Sequence, residues 1–149
     1  MSDQPQSPFW KAARGEIPPP PGARLLGWKV LEAAPQSGRI KVQFDATEQF
    51  TNVVGNIQGG FLAAMLDDTL GPALITILEP YEFCPTLELK ISFLRPARPG
   101  RFIGEGWVAH RGRGVAFLEG RLFDSDGEPV ATASSTVRIK RLPPEAFSR

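Results

Sequence analysis

The chain predicts an α+β fold in which one antiparallel β-sheet wraps around one long central helix. Three observations carry that expectation. Residues 60–78 are apolar on nearly every side at helical spacing, the flanking segments alternate apolar and polar residues, and turn residues separate those segments at short intervals. The order reads two strands, one buried helix, then four strands, and a single sheet curled around the helix satisfies it.

Each element has its own signal. Residues 1–26 form a proline-rich lead segment that packs on the surface of the domain. Within it, residues 8–14 can form a short helix with Phe9 and Trp10 as anchors, and Pro18 to Pro21 run extended. Strands follow at 27–33 and 39–44, separated by Pro35-Gln36-Ser37-Gly38, and Ile40, Val42 and Phe44 alternate with polar residues in the second. In the helix, Phe61, Leu62, Met65, Leu66, Leu70, Leu74 and Leu78 recur at helical spacing while alanines and isoleucines fill the other faces. Pro72, with no N–H to donate, should kink or interrupt its second half. Four strands complete the domain, which spans 27–141: 86–93, 102–110, 115–123 and 130–139, the last two joined by a hairpin loop at 124–128. Residues 142–149 remain as a C-terminal tail.

Composition narrows the function. At 149 residues the chain is long enough for one domain with a proper core. A net charge of +1 gives no reason to expect nucleic acid or an acidic membrane as a partner. The single cysteine, Cys84, excludes a disulfide within the chain and a cysteine metal cluster, which suits a reducing cytoplasm. The first residues lack the basic and apolar regions of a signal peptide, and Asp67 breaks the longest apolar run, so a cytoplasmic protein without a membrane span is expected.

The stretch 52–69 concentrates the chemistry. A loop with spaced polar groups ends in Gly59-Gly60, the apolar helix begins at once, and Asp67 and Asp68 sit in its middle. A glycine pair opening a buried helix offers bare N–H groups to a ligand oxygen. A carboxylate on apolar sequence is costly to bury unless it has a partner or a task. Taken alone, Gly59-Gly60 is as readily a tight turn into a helix, and Asn52 and Thr86 are more readily a turn cap and a strand hydroxyl.

Taken together, these residues resemble the hotdog-fold thioesterases, specifically the PaaI-type branch related to phenylacetate degradation. The matching positions are Asn52, Gln58-Gly59-Gly60, Asp67 nine residues past Gln58, Thr86, and Phe93-Leu94-Arg95-Pro96-Ala97. Arg111-Gly112-Arg113, Gly127-Glu128-Pro129-Val130-Ala131 and Ser135-Thr136-Val137 also look like the family, and the resemblance covers about residues 25–141. Most of the branch carries histidine where this chain has Gln58. Glutamine can still donate an N–H to a thioester oxygen, but it has no proton to trade near neutral pH. The resemblance implies hydrolysis of acyl-CoA thioesters to free acid and coenzyme A, with no cofactor beyond the coenzyme A of the substrate. It implies Asp67 as nucleophile or general base, Asn52, Gln58 and Thr86 orienting the substrate oxygen and the water, and a homodimer that pairs into a tetramer.

Acyl transfer also needs something to hold the oxyanion, and the Gly59 N–H at the helix N-terminus is the natural donor. Eight residues of continuous helix place Gly59 and Asp67 about 12 Å apart, too far to act on one carbonyl. Two such helices antiparallel across a two-fold axis would bring Asp67 of one chain near Gly59 of the other, so the chemistry demands at least a dimer with composite sites. Gly60, Phe61, Ala64, Met65 and Leu87 are candidates to line an acyl pocket, suited to an aromatic or a medium aliphatic chain. Arg111 and Arg113 are candidates to hold the phosphates of coenzyme A, because the guanidinium fork matches phosphate oxygens; two exposed hairpin arginines are as often simply solvated.

Other features read as structural. Asp68 points about 100° away from Asp67 around the helix and is expected in an interface contact rather than in catalysis. His110 is the one histidine, no nucleophile elbow accompanies it, and at a strand end beside arginines it is expected to be solvated or to face the nucleotide. Cys84 reads as a buried thiol, and Asp124-Ser125-Asp126-Gly127 as a turn rather than a calcium loop. Two alternative functions stand beside hydrolysis: a non-catalytic acyl-CoA-binding domain in which Gln58 marks lost activity, and a hydratase or dehydratase, which Gln58 argues against.

Overall fold

Prolines open both helices of the lead segment. In the computed structural model, which describes residues 7–148, helix α1 (Pro8–Ala13) begins behind Ser7, whose Oγ accepts the Trp10 N–H at 3.5 Å. The first six residues of the lead segment and the last residue of the tail lie outside the described residues. The stretch expected to be wholly extended ends one residue early: Pro21 starts a second helix, α2 (Pro21–Leu25), because its fixed φ suits a first helical turn. Gly27, at φ +67, then turns the chain so that strand β1 (Lys29–Ala34) starts two residues later than the alternation suggests.

Strand β2 (Arg39–Ala46) follows, then a 3-10 turn at Glu48–Phe50 and helix α3 (Gly59–Ile75) of 17 residues. The remaining elements are β3 (Glu82–Phe83), β4 (Thr86–Phe93), β5 (Gly100–Arg111), β6 (Val115–Phe123), β7 (Pro129–Arg138), β8 (Lys140–Arg141) and a 3-10 turn at Pro144–Phe147. Six strands form one antiparallel sheet in the order β1-β2-β5-β6-β7-β4. A second, two-stranded sheet pairs β3 with β8 and ties the end of the domain to the loop after α3; two-residue strands are too short to show any alternation.

α3 lies against the inner face of the curled sheet. Its buried residues Leu62, Met65, Leu66, Thr69, Leu70, Ala73 and Leu74 belong to one core with Val42, Phe44, Phe102, Leu118, Leu122 and Val137. Burial alternates residue by residue along β2 and β6, the mark of strands with one face inward. Close approach of helix and sheet is possible because the strands carry glycines where the helix touches them. A Cβ at Gly104 would overlap the Thr69 hydroxyl, and one at Gly120 would lie 2.7 Å from Leu70 Cδ2.

Pro72 neither interrupts nor ends α3, contrary to expectation. The helix continues to Ile75, and residues 76–78 leave it through three-residue turns, Ile77 N–H to the Leu74 carbonyl at 2.9 Å and Leu78 N–H to Ile75 at 3.3 Å. The carbonyl that Pro72 would leave without a donor, that of Asp68, accepts the indole Nε1–H of Trp28 at 3.1 Å.

Candidate active site

The loop before α3 is built around Asn52. Its Oδ1 accepts the N–H groups of Val54 and Asn56, both at 3.1 Å, and its own N–H donates to the Asn56 carbonyl at 2.7 Å. Those bonds leave the Asn52 amide nitrogen as the group it can offer outward. Ile57 and Gln58 fix the rest of the loop, Ile57 N–H to the Ala97 carbonyl and Gln58 N–H to Phe50, each at 2.8 Å. Gln58 is the exposed N-cap residue of α3, and its side chain makes no capping bond.

The first turn of α3 presents open donors. Phe61 and Leu62 N–H both turn back to the Gln58 carbonyl, at 2.9 and 3.4 Å. The N–H groups of Gly59 and Gly60 find no acceptor among the described residues, as the first turn of a helix dictates. The ring of Phe93 covers the other side of Gly59, 3.1 Å from where a Cβ would stand, whereas nothing lies within 4 Å of a Cβ at Gly60. Any side chain at position 59 would therefore displace Phe93. Asn52, Asn56, Gly59, Phe93 and Arg95 border an open groove of about 480 Å³.

Two turns along, Asp67 lies exposed on α3, and Thr86 at the start of β4 donates its hydroxyl to Asp67 Oδ1 at 3.0 Å. That bond orients the carboxylate and leaves Oδ2 without a partner among the described residues. The helix is continuous between Gly59 and Asp67, so the two are about 12 Å apart along its axis, as expected from the spacing. Asp68 is mostly buried, and burial, followed by the neighbouring Asp67 charge, pushes its carboxyl up to about 6. Its carboxylate has no hydrogen-bond or ion-pair partner among the described residues. Cys84 is buried, its thiol 3.8 Å from the Gly71 carbonyl, and burial first and Asp67 second raise its pKa to about 11. It is held as the thiol.

The structure separates the other candidates. Leu87 is 60% exposed beside Thr86, and Ala64 is half-buried on α3. Phe61 stacks on Phe50 with centroids 4.3 Å apart. Met65 is fully buried against the sheet, so in this chain it presents no surface to a ligand, and its place in the pocket lining is corrected to the core. Arg111 is also committed within the chain: Nη1 donates to the Ile77 carbonyl at 3.0 Å and Nη2 to Glu82 at 3.3 Å, bracing the turn that ends α3. Arg113 is exposed. Phe93 and Arg95 appear in the sequence as motif positions, and their part in the site emerges only because β4 ends beside the first turn of α3.

A six-stranded antiparallel sheet curled around one long helix is the hotdog fold. Comparison with known proteins gives the family. The Thioesterase superfamily model matches residues 54–131. An esterase-named protein of Saccharolobus solfataricus, SSO2140, is 34% identical over 123 residues, 83% of this chain and 86% of its own. The phenylacetic acid degradation-related protein of Ralstonia eutropha JMP134, whose structure carries a thioesterase name, superposes with a TM-score of 0.83 at 40% identity. That match covers 87% of this chain and 98% of the other. A hypothetical thioesterase from Streptococcus pneumoniae TIGR4, solved with coenzyme A, shares the fold at a TM-score of 0.69 and 20% identity over 76% of this chain and 86% of its own. The chain belongs to the thioesterase superfamily, in its PaaI-type branch, and is a hydrolase of the thioesterase type.

Proposed function

We propose that the protein hydrolyses acyl-CoA thioesters and that each active site spans two subunits. The hydrogen bond from Thr86 to Asp67 Oδ1 carries the reading, because it aims one carboxylate and leaves its other oxygen free to take a proton. Asp67 Oδ2 removes a proton from water as the water oxygen attacks the thioester carbonyl carbon. The carbonyl oxygen becomes an oxyanion held by the Gly59 N–H of the other subunit, with the Gln58 and Asn52 amides beside it. Collapse breaks the carbon–sulfur bond and expels the coenzyme A thiolate, which takes up a proton while the free acid leaves.

Assembly supports the same reading. Strand β4 closes one edge of the sheet, with Leu87 60%, Phe93 54% and Leu94 52% exposed on or just beyond it, and Val53 and Val54 stand out from the loop before α3. A two-fold axis beside β4 would cover this surface and set two copies of α3 antiparallel, which is the arrangement that unites Asp67 with Gly59 of the other chain. Coenzyme A in the pneumococcal relative supports the thiol half of the substrate.

Release of free thiol from benzoyl-CoA and hexanoyl-CoA tests the activity. Asp67→Asn should lower kcat by at least ~10²-fold while leaving fold and dimer intact. Hydrolysis by this variant at the wild-type rate would remove Asp67 from the mechanism, and absence of thiol release from the wild type would favour a binding domain. Single turnover in ¹⁸O-water should place the label in the released acid, and label in the Asp67 carboxylate would make Asp67 the nucleophile instead.

A further inference from the structure

Helix α3 carries a proline within two turns of Asp67, and the fold answers it from a distant part of the chain. Backbone bonding in a helix runs from each N–H to the carbonyl four residues back, so the donor for the Asp68 carbonyl should be residue 72. Residue 72 is proline and donates nothing. Trp28 fills the vacancy from 40 residues earlier in the chain, its Nε1–H 3.1 Å from that carbonyl. The indole is itself held in place. Trp28 is 8% exposed, its own N–H donates to the Ala23 carbonyl at 3.0 Å, and Phe9 of α1 meets it edge-on at 6.1 Å between centroids.

We infer that Trp28 is a positioning residue for Asp67, supplying from the residue just before β1 the hydrogen bond that Pro72 withholds from the turn carrying the carboxylate. This rests on the hydrolase reading above for its consequence in catalysis, though not for its effect on the helix. An unanswered carbonyl beside Asp67 would let that turn open toward water and tilt. The Thr86 hydroxyl is fixed on β4, so a small tilt of α3 stretches the 3.0 Å bond that orients the Asp67 carboxylate. Misplacement of that kind lowers turnover more than it weakens substrate binding, because Asp67 acts on the attacking water rather than on the body of the substrate. The lead segment contributes to this arrangement through Phe9 and Ala23, which hold the indole in place, though none of its residues is placed at the thioester.

The test uses two substitutions that cancel each other. Trp28→Phe keeps an aromatic ring against Phe9 and removes only the donor. Pro72→Ala returns a backbone N–H to the position that serves the Asp68 carbonyl. In the full-length protein, Trp28→Phe should lower kcat about tenfold with KM within about twofold of wild type. Pro72→Ala alone should stay near wild type, and the double variant should recover most of the lost kcat. Hydrogen exchange read in parallel should show faster exchange at the Gly71 and Ala73 amides in Trp28→Phe and slower exchange again in the double variant. Wild-type turnover in Trp28→Phe, or a folded double variant no better than Trp28→Phe, overturns the inference. Wild-type protein that releases no thiol overturns the hydrolase reading instead, and exchange at Gly71 and Ala73 that ignores Trp28→Phe then overturns the helix bond itself.

Discussion

Replacing Asp68 with asparagine should stabilise the protein, and by an amount that depends on pH. Asp68 sits mostly buried on α3, one residue from the Asp67 charge, and its pKa rises from 3.8 to about 6, with burial the larger cause and Asp67 the smaller. Such a rise corresponds to a penalty of about 3 kcal/mol once the group is fully ionised, at about 1.4 kcal/mol per pH unit. The sign follows from which state holds the proton more tightly. Below 3.8 the carboxyl is protonated in both folded and unfolded chains, and no penalty exists. As pH rises through about 6 the folded protein must ionise a buried group, and that stability is lost. Asparagine never ionises. The gain from Asp68→Asn should therefore be near zero at pH 3.5 and grow to as much as about 3 kcal/mol at pH 7.5. Urea unfolding of both proteins at fixed subunit concentration measures it, since the proposed assembly would make stability concentration-dependent. The difference between variants cancels the titration of the other carboxylates. A difference that is flat with pH, or a less stable asparagine variant at pH 7.5, would refute the reasoning.

Two more outcomes follow from the site. Asn52→Ala and Asp67→Asn subunits, each inactive as a homodimer, should regain one working site when mixed, approaching half of the wild-type activity per verified heterodimer; no recovery would count against shared sites. Arg113→Ala should raise KM for acyl-CoA with kcat nearly unchanged and leave a truncated pantetheine thioester unaffected, as expected for a uniform phosphate contact. Arg111→Ala should instead lower thermal stability and affect both substrates alike, because its guanidinium braces Ile77 and Glu82; equal behaviour of the two arginines would sink that distinction.

What the sequence made legible is what local pattern encodes. The all-round apolar run marked α3, the period-two alternation marked β2 and β4, and the Gly59-Gly60 pair marked the helix start within one residue. The motif spacing brought Asn52, Gly59, Asp67 and Thr86 forward as candidates, and the structure does join Thr86 to Asp67 and set Asn52 beside Gly59. Partners across the fold were not legible. Nothing near Arg111 announces that its fork reaches Ile77 and Glu82, 34 and 29 residues away. Nothing near Phe61 or Met65 says which of two apolar side chains stacks on Phe50 and which enters the core. Pro72 misled for the same reason. Its local effect was read correctly as a missing donor, but the replacement came from Trp28.

One such long-range contact decides where the Asp67 carboxylate points. Thr69 is fully buried, its hydroxyl donating to the Met65 carbonyl at 2.7 Å, and it wedges against the glycines of β5. A Cβ at Gly104 would overlap its Oγ1, and one at Gly106 would lie 3.1 Å from its Cγ2. This contact fixes the roll of α3 as well as its height above the sheet. Two residues earlier on a helix is about 200° around the axis, so a Thr69 pressed into the sheet obliges Asp67 to face away from it. That is the side on which the β4 edge, Thr86 and the exposed Leu87 lie. Asp68, about 100° from each, falls to the flank where Trp28 waits. Three successive residues thus take three directions, and the glycines of a neighbouring strand choose which of the two carboxylates is exposed beside Thr86.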